Sequence, residues 1–227
     1  MTVKVGSFID EIDGKVAQKS LLNHPFYRAW TKGELDLESL RDYAAQYYQH
    51  VKAFPTYLSA VHAQTENMET RREILRNLMD EEAGNPNHPD LWVQFAEGLG
   101  LSREQIEKET PRPETANLIG VFKSTCGNRG TAAGLAALYA YESQIPAVSE
   151  SKIGGLTRFY GIDNPLALAY FELHKEADKK HSAAERKLLE RYLDGGGMPP
   201  VRQAVDDVLE ALYGMLDGVC QRHGIAC

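Results

Sequence analysis

The 227 residues carry 25 Lys and Arg against 32 Asp and Glu, a formal net charge of −7, and 43% of the side chains are hydrophobic. A chain of this size can hide about 70% of the surface its unfolded form would expose, which predicts one sizeable core and a single domain over residues 1–227. The acidic balance, with a pI near 5.5, argues against nucleic acid or an anionic membrane surface as a partner.

The opening MTVKVGSFIDEIDGK lacks the apolar run of a secretory signal, and no stretch approaches the ~20 apolar residues of a membrane span, so a cytoplasmic protein is expected. His24-Pro25-Phe26-Tyr27 comes next. Proline biases the residue before it away from helix, so this segment is expected to turn into the core, with Tyr27 read as a core aromatic. From Leu40 to Val61, the residues Tyr43, Tyr47, His50, Phe54, Tyr57 and Val61 recur at intervals of three or four, the apolar stripe of a helix.

Met68–Glu82 and Pro89–Leu99 are the next amphipathic stretches, divided by Gly84-Asn85-Pro86. Glu81 and His88 flank this break. In an unbroken helix they would stand about 10.5 Å apart along the axis, and the break can draw His88 back toward Glu81. The competing reading makes Glu81 and Glu82 surface charges, with Asn87 capping the following helix.

Glu114–Thr125 is followed by Cys126 and by a nearly neutral stretch, Gly130–Lys152, rich in Ala, Leu and Tyr. Within Gly130–Val148, Glu142 is the only charged side chain. A lone carboxylate is costly to bury unless it is paired, protonated or bound to metal, and a salt bridge to an arginine is the alternative. Lys152, taken by itself, reads as solvated.

Pro165–Tyr192 opens with Asp163-Asn164-Pro165, a cap followed by proline in the first turn, where its missing N–H costs nothing. Inside it, His174, Asp178 and His181 stand at i, i+4 and i+7. Those steps advance about 400° and 700°, so two imidazoles and a carboxylate share one face. A solvated helix with two ordinary histidines competes with that reading. Val201–His223 is the last periodic stretch. Breaks at Gly33, Gly84–Pro86, Gly100–Ser102, Pro111 and Pro113, Gly161–Pro165 and Gly195–Pro200 delimit seven or eight helices, an all-α class packed as an antiparallel bundle.

Cys126, Cys220 and Cys227 are widely spaced and odd in number, which describes neither a disulfide framework nor a thiolate cage. Any metal must then be held by His and carboxylates. The candidates are Glu81, His88, Glu142, His174, Asp178 and His181, a donor mix suited to Fe or Mn. Two Glu-x-x-His motifs of the ferritin type are missing.

In the order Glu…His…Glu…His-x3-Asp-x2-His, these six residues resemble the ligand set of the heme-oxygenase-like di-iron oxidases and oxygenases. The chain is more closely similar to the family of the Chlamydia protein associating with death domains. That likeness is carried by His24-Pro25-Phe26-Tyr27, Lys52-Ala53-Phe54-Pro55, Asn77-Leu78-Met79-Asp80-Glu81-Glu82, Tyr141-Glu142-Ser143-Gln144-Ile145-Pro146, His174 with Asp178 and His181, and Leu212-Tyr213-Gly214. Residues 194–206 fall outside it.

The resemblance implies a seven- to eight-helix heme-oxygenase-like bundle with two metal ions, Fe/Fe or Mn/Fe, and with dioxygen and an external reductant as co-substrates. It further implies formation of para-aminobenzoate for folate supply. Tyr27 would be the self-consumed source of the ring, Lys152 the amino donor and Tyr43 a further tyrosine near the site, with at most one turnover per chain. A lysine in that role must be deprotonated, through burial or a neighbouring cation. Two other readings stay open. One is a metal-independent enzyme like thiaminase or pyrroloquinoline-quinone synthase, with Cys126 as a candidate nucleophile; the other is a death-domain-type interaction module. A homodimer is kept open as the oligomeric state.

Overall fold

The computed structural model describes residues 5–193 and 198–226. Gly195, in the last expected break, and Cys227 lie outside the described residues. Among those described, every regular element is helical: α1 (Val5–Gln18), α2 (Pro25–Lys32), α3 (Leu37–Gln64), α4 (Met68–Glu82), α5 (His88–Gly98), α6 (Arg103–Lys108), α7 (Pro113–Asn128), α8 (Thr131–Glu142), α9 (Ile145–Phe159), α10 (Pro165–Leu193) and α11 (Met198–His223), with a short 3₁₀ turn at Leu21–Asn23. The all-α expectation holds, and the number of segments exceeds the expected seven or eight.

Local chemistry explains the extra segments. The stretch Gly130–Lys152 divides at Ser143–Gln144, with Pro146 in the first turn of the second helix, because proline has no N–H to continue the ladder of the first. Helix α2 begins at Pro25, where the sequence pointed only to a turn into the core: His24 is extended (φ −68°, ψ 140°), and its Nδ1 accepts from Phe26 N at 3.1 Å. Gly33, at φ 70°, closes α2 in the left-handed conformation. Helix α6 is opened by a capping box between Ser102 and Gln105. Asn87 caps α5 by accepting from Asp90 N at 2.9 Å.

Helix α8 is the centre of the bundle, buried along nearly its whole length and packed between α10 and α11. Long α3 packs on α7, α4 and α5, while α10 also lies against α5 and α9. Two crossings position the buried polar side chains. The C-terminal end of α8 packs on α10 and is reached from α4 by Asn77, which donates to Glu142, and α2 seats on α9, where a Cβ on Gly155 would overlap the Trp30 indole. No helix among the described residues is long and apolar enough to cross a membrane.

Candidate metal centre

The six residues singled out by type and spacing come together in two buried clusters. Glu81, His88 and His174 form one; Glu142, Asp178 and His181 form the other; in each, one donor atom per residue lies within 4.8 Å of the others. The surface-charge reading of Glu81 and the arginine salt-bridge reading of Glu142 are thereby corrected: Glu81 is 4% exposed and Glu142 1%, and neither is paired with an arginine. The break after α4 returns the chain so that His88 Nδ1 lies 2.9 Å from Glu81 Oε1. On α10 the i, i+4, i+7 face points inward, and the solvated-helix reading falls with it.

The hydrogen bonds fix which imidazole nitrogens are free. A carbonyl oxygen only accepts, so His174 Nδ1 donates to Tyr170 O at 2.6 Å and leaves Nε2 as the lone-pair nitrogen. A carboxylate likewise only accepts, so His181 Nε2 donates to Asp80 Oδ2 at 3.1 Å. Nδ1 of His181 is left facing Glu142 Oε1 at 3.3 Å and Asp178 Oδ1 at 3.5 Å. Buried His88 Nδ1, His181 Nδ1 and Asp178 Oδ2 have no hydrogen-bond partner of normal geometry.

Imidazole and carboxylate donor atoms that converge this closely repel unless a proton or a cation stands in their midst. Two hard or borderline triads of this composition suit iron-class ions, so the residues present fit a dinuclear centre. The electrostatics agree. Burial raises Glu81, and burial, against the His181 contact and with Glu142 and Glu81 nearby, holds Asp178 well above the ordinary carboxylate range. Burial works against a charged His181, yet the Asp178 and Glu142 carboxylates outweigh it and push it up to about 11. Burial, with His88 beside it, holds His174 well below the usual imidazole value.

A cavity of about 10 Å³ touches both clusters and is lined by Val51, Phe54, Tyr141 and Tyr170 together with Glu81, Glu142, His174 and Asp178. An open groove of about 490 Å³ reaches His88 and His181 from the surface.

The other three candidates meet elsewhere in the same core. Tyr27 and Tyr43 are buried, with hydroxyls 3.0 Å apart, and Lys152 Nζ donates to Tyr43 Oη at 2.7 Å. Lys152 is 3% exposed, which corrects its reading as a solvated side chain. Its nitrogen sits 5.0–5.6 Å from the ring centroids of Tyr27, Tyr43, Tyr47, Trp92 and Phe171. Burial there lowers Lys152 well below the ordinary lysine value and raises Tyr27 and Tyr43 well above the ordinary tyrosine value. Aromatic side chains join the two regions. Tyr43 and Tyr47 have centroids 5.2 Å apart, Tyr47 Oη donates to Tyr141 Oη at 2.9 Å, and Tyr170 stacks on His174 at 3.9 Å.

Residue-type reasoning passed over Asn77, Asp80 and Glu185. Asn77 Nδ2 donates to both oxygens of Glu142, at 3.0 and 3.3 Å, and Asp80 holds His181. Glu185 lies i+11, i+7 and i+4 from His174, Asp178 and His181, so extending their face by one turn would have found it. Cys126 is buried, and burial with Glu142 nearby pushes its thiol up to about 12, the reverse of an activated nucleophile.

An all-helical bundle whose inward faces carry two His/carboxylate triads defines the class: a heme-oxygenase-like fold with the donor set of a dinuclear non-heme centre. A family profile described as "iron-containing redox enzyme" matches residues 41–213. The chain belongs to that family. It is 46% identical over 211 residues to a 4-aminobenzoate synthase of Chlamydia muridarum, covering 93% of this chain and 89% of that protein. A 4-aminobenzoate synthase of Nitrosomonas europaea is 42% identical over 227 residues, covering 96% of this chain and 92% of that protein. Among solved structures, a protein of unknown function with a heme oxygenase-like fold from Shewanella denitrificans superposes with a TM-score of 0.82 at 16% identity, covering 99% of this chain and 95% of that one.

Proposed function

We propose that this chain forms 4-aminobenzoate in a dioxygen-dependent reaction at a dinuclear metal centre, taking the ring from its own Tyr27 and the amino group from Lys152. Similarity to proteins named 4-aminobenzoate synthase supports the product. The observation that carries the internal-substrate part is the buried chain Tyr27–Tyr43–Lys152, in the same core as two metal-type donor clusters.

Glu81, His88 and His174 would hold one ion and Glu142, Asp178 and His181 the other, as Fe/Fe or Mn/Fe. Once loaded and supplied with dioxygen and electrons from an external reductant, such a centre provides the oxidising power. The remaining work falls to the chain. The small cavity bordered by Val51, Phe54, Tyr141 and Tyr170 has room for about one water-sized molecule. Buried Tyr27 stays a neutral phenol, so any electron it gives up must leave with its proton, and its hydroxyl is hydrogen-bonded to that of Tyr43 at 3.0 Å.

Lys152, kept neutral by burial, retains a nucleophilic lone pair. It lies 5.6 Å from the centroid of the Tyr27 ring, so amine and ring are already neighbours, and the surrounding rings keep water from competing.

The test uses protein labelled with ε-¹⁵N-lysine, loaded with ferrous ion under argon, then given a reductant and oxygen. The expected product is ¹⁵N-labelled 4-aminobenzoate at no more than one per chain. Tyr27→Phe should make none while taking up metal normally. Product in that variant, or unlabelled nitrogen in the wild-type product, would overturn the internal-substrate reading.

A further inference from the structure

Glu185 is a buried acid that the six-residue ligand set does not use. It is 2% exposed, and both of its carboxyl oxygens are buried without a hydrogen-bond partner. It stands on α10 one turn beyond His181, on the face that carries His174 and Asp178, with its carboxyl beside that of Glu142. It lies outside the three-residue cluster itself. A cleft of about 190 Å³ reaches it together with Asn77, Asp80 and His181; Arg76 and Lys180 also line this cleft, and neither bonds to Glu185.

A buried carboxyl group with no amide, lysine or arginine partner can be held only by sharing a proton with the neighbouring Glu142 carboxyl or by a cation, and a metal ion satisfies both acids at once. Asn77 already satisfies Glu142 from the α4 side, so the unmatched acid of this pair is Glu185.

We propose that Glu185 is a fourth protein ligand of the ion held by Glu142, Asp178 and His181. The inference rests on the dinuclear-metal reading and deepens it. One site then has two imidazoles and one carboxylate, and the other has one imidazole and three carboxylates. The two ions are inequivalent by construction, and the oxygen-rich site favours the harder ion, Mn²⁺ over Fe²⁺.

The test is anaerobic titration of the metal-free full chain with Mn²⁺ alone, for wild type, Glu185→Gln and Glu185→Met, with bound metal counted by mass spectrometry and electron paramagnetic resonance. Wild type should take two ions. Each variant should keep one ion at unchanged affinity and bind the other at least about 10-fold more weakly. The metal-free Tm of Glu185→Met should equal or exceed that of wild type, because an unmatched buried carboxyl has been replaced by an apolar chain of similar volume. Unchanged affinity at both sites in both variants overturns the assignment. So does weaker binding accompanied by a metal-free Tm several degrees below wild type, which marks a structural residue. Wild type that takes no Mn²⁺ removes the metal reading itself, and this inference with it.

Discussion

Lys152 is the residue whose environment departs furthest from its type. It is enclosed by aromatic rings with a tyrosine hydroxyl as its hydrogen-bond partner, and burial lowers it well below the ordinary lysine value. Between that depressed value and the usual one near 10.4, the unfolded chain holds a proton that the folded chain lacks, so stability rises with pH through the window. Metal-free wild type should therefore be less stable than Lys152→Met at neutral pH. The gap should close by about 1.4 kcal/mol per pH unit within the window as pH rises toward about 10. Denaturant unfolding of both proteins from about pH 7 to 10 measures it, and a gap that stays constant contradicts a neutral Lys152. Nothing local to the sequence announces this burial. Helical spacing explains Tyr43 and Tyr47 as core, but the Lys152 amine is enclosed by rings supplied from α2, α3, α5 and α10, a tertiary effect.

At the scale of elements, the longer helices were legible because their apolar residues keep a helical period: Met68–Glu82 agrees at both ends, and Pro165–Tyr192 falls one residue short. Shorter pieces were passed over, although two carried readable signals. Phe8, Ile9 and Ile12 supply the buried stripe of α1, and Ser102-x-x-Gln105 is a capping box ahead of α6. Helix α2 is different: its cap is a histidine, a residue outside the usual Ser, Thr, Asp and Asn set, so its start carries little warning.

That helix sets the position of Tyr27 relative to Lys152, through Trp30 Nε1 donating to Lys152 O at 3.3 Å and through the close seat of Trp30 on Gly155. Gly155→Ala gains about 1 kcal/mol of helix propensity but drives a methyl into the indole, which costs about 1–3 kcal/mol. A net loss of up to about 2 kcal/mol is expected, with 4-aminobenzoate yield reduced while metal stoichiometry is retained. Thermal unfolding and product analysis of this variant check both, and full yield would show that the α2–α9 seat does not position the reacting pair.

For the whole molecule, the acidic side chains are not confined to the surface: Glu81, Glu142, Asp178 and Glu185 are all buried in the bundle's interior. The folded, metal-free chain therefore holds acidic groups at a cost that cations would relieve, and ion binding becomes folding free energy. Metal at 100 times its Kd should stabilise the protein by about 2.7 kcal/mol per ion. At about 2–4 °C per kcal/mol, that raises Tm by roughly 5–10 °C for each site filled, and a chelator should reverse the shift.

The six candidate ligands were legible because two imidazoles and an acid recur on one helical face and because Glu142 stands alone in an apolar stretch. Asn77 and Asp80 were not, because polar residues on an amphipathic helix usually face water, and only the packing of α4 brings Asn77 onto Glu142 and lets the largely exposed Asp80 reach His181; Glu185 continues the α10 face by one turn and was within reach of the same reasoning.

The most direct measurement is a crystal structure of protein loaded anaerobically with iron and manganese, with anomalous difference maps at both absorption edges. Two ions are expected, one among Glu81, His88 and His174 and one among Glu142, Asp178 and His181. Maps without an ion in either triad, with the six side chains paired to one another or to arginines instead, would contradict a dinuclear centre.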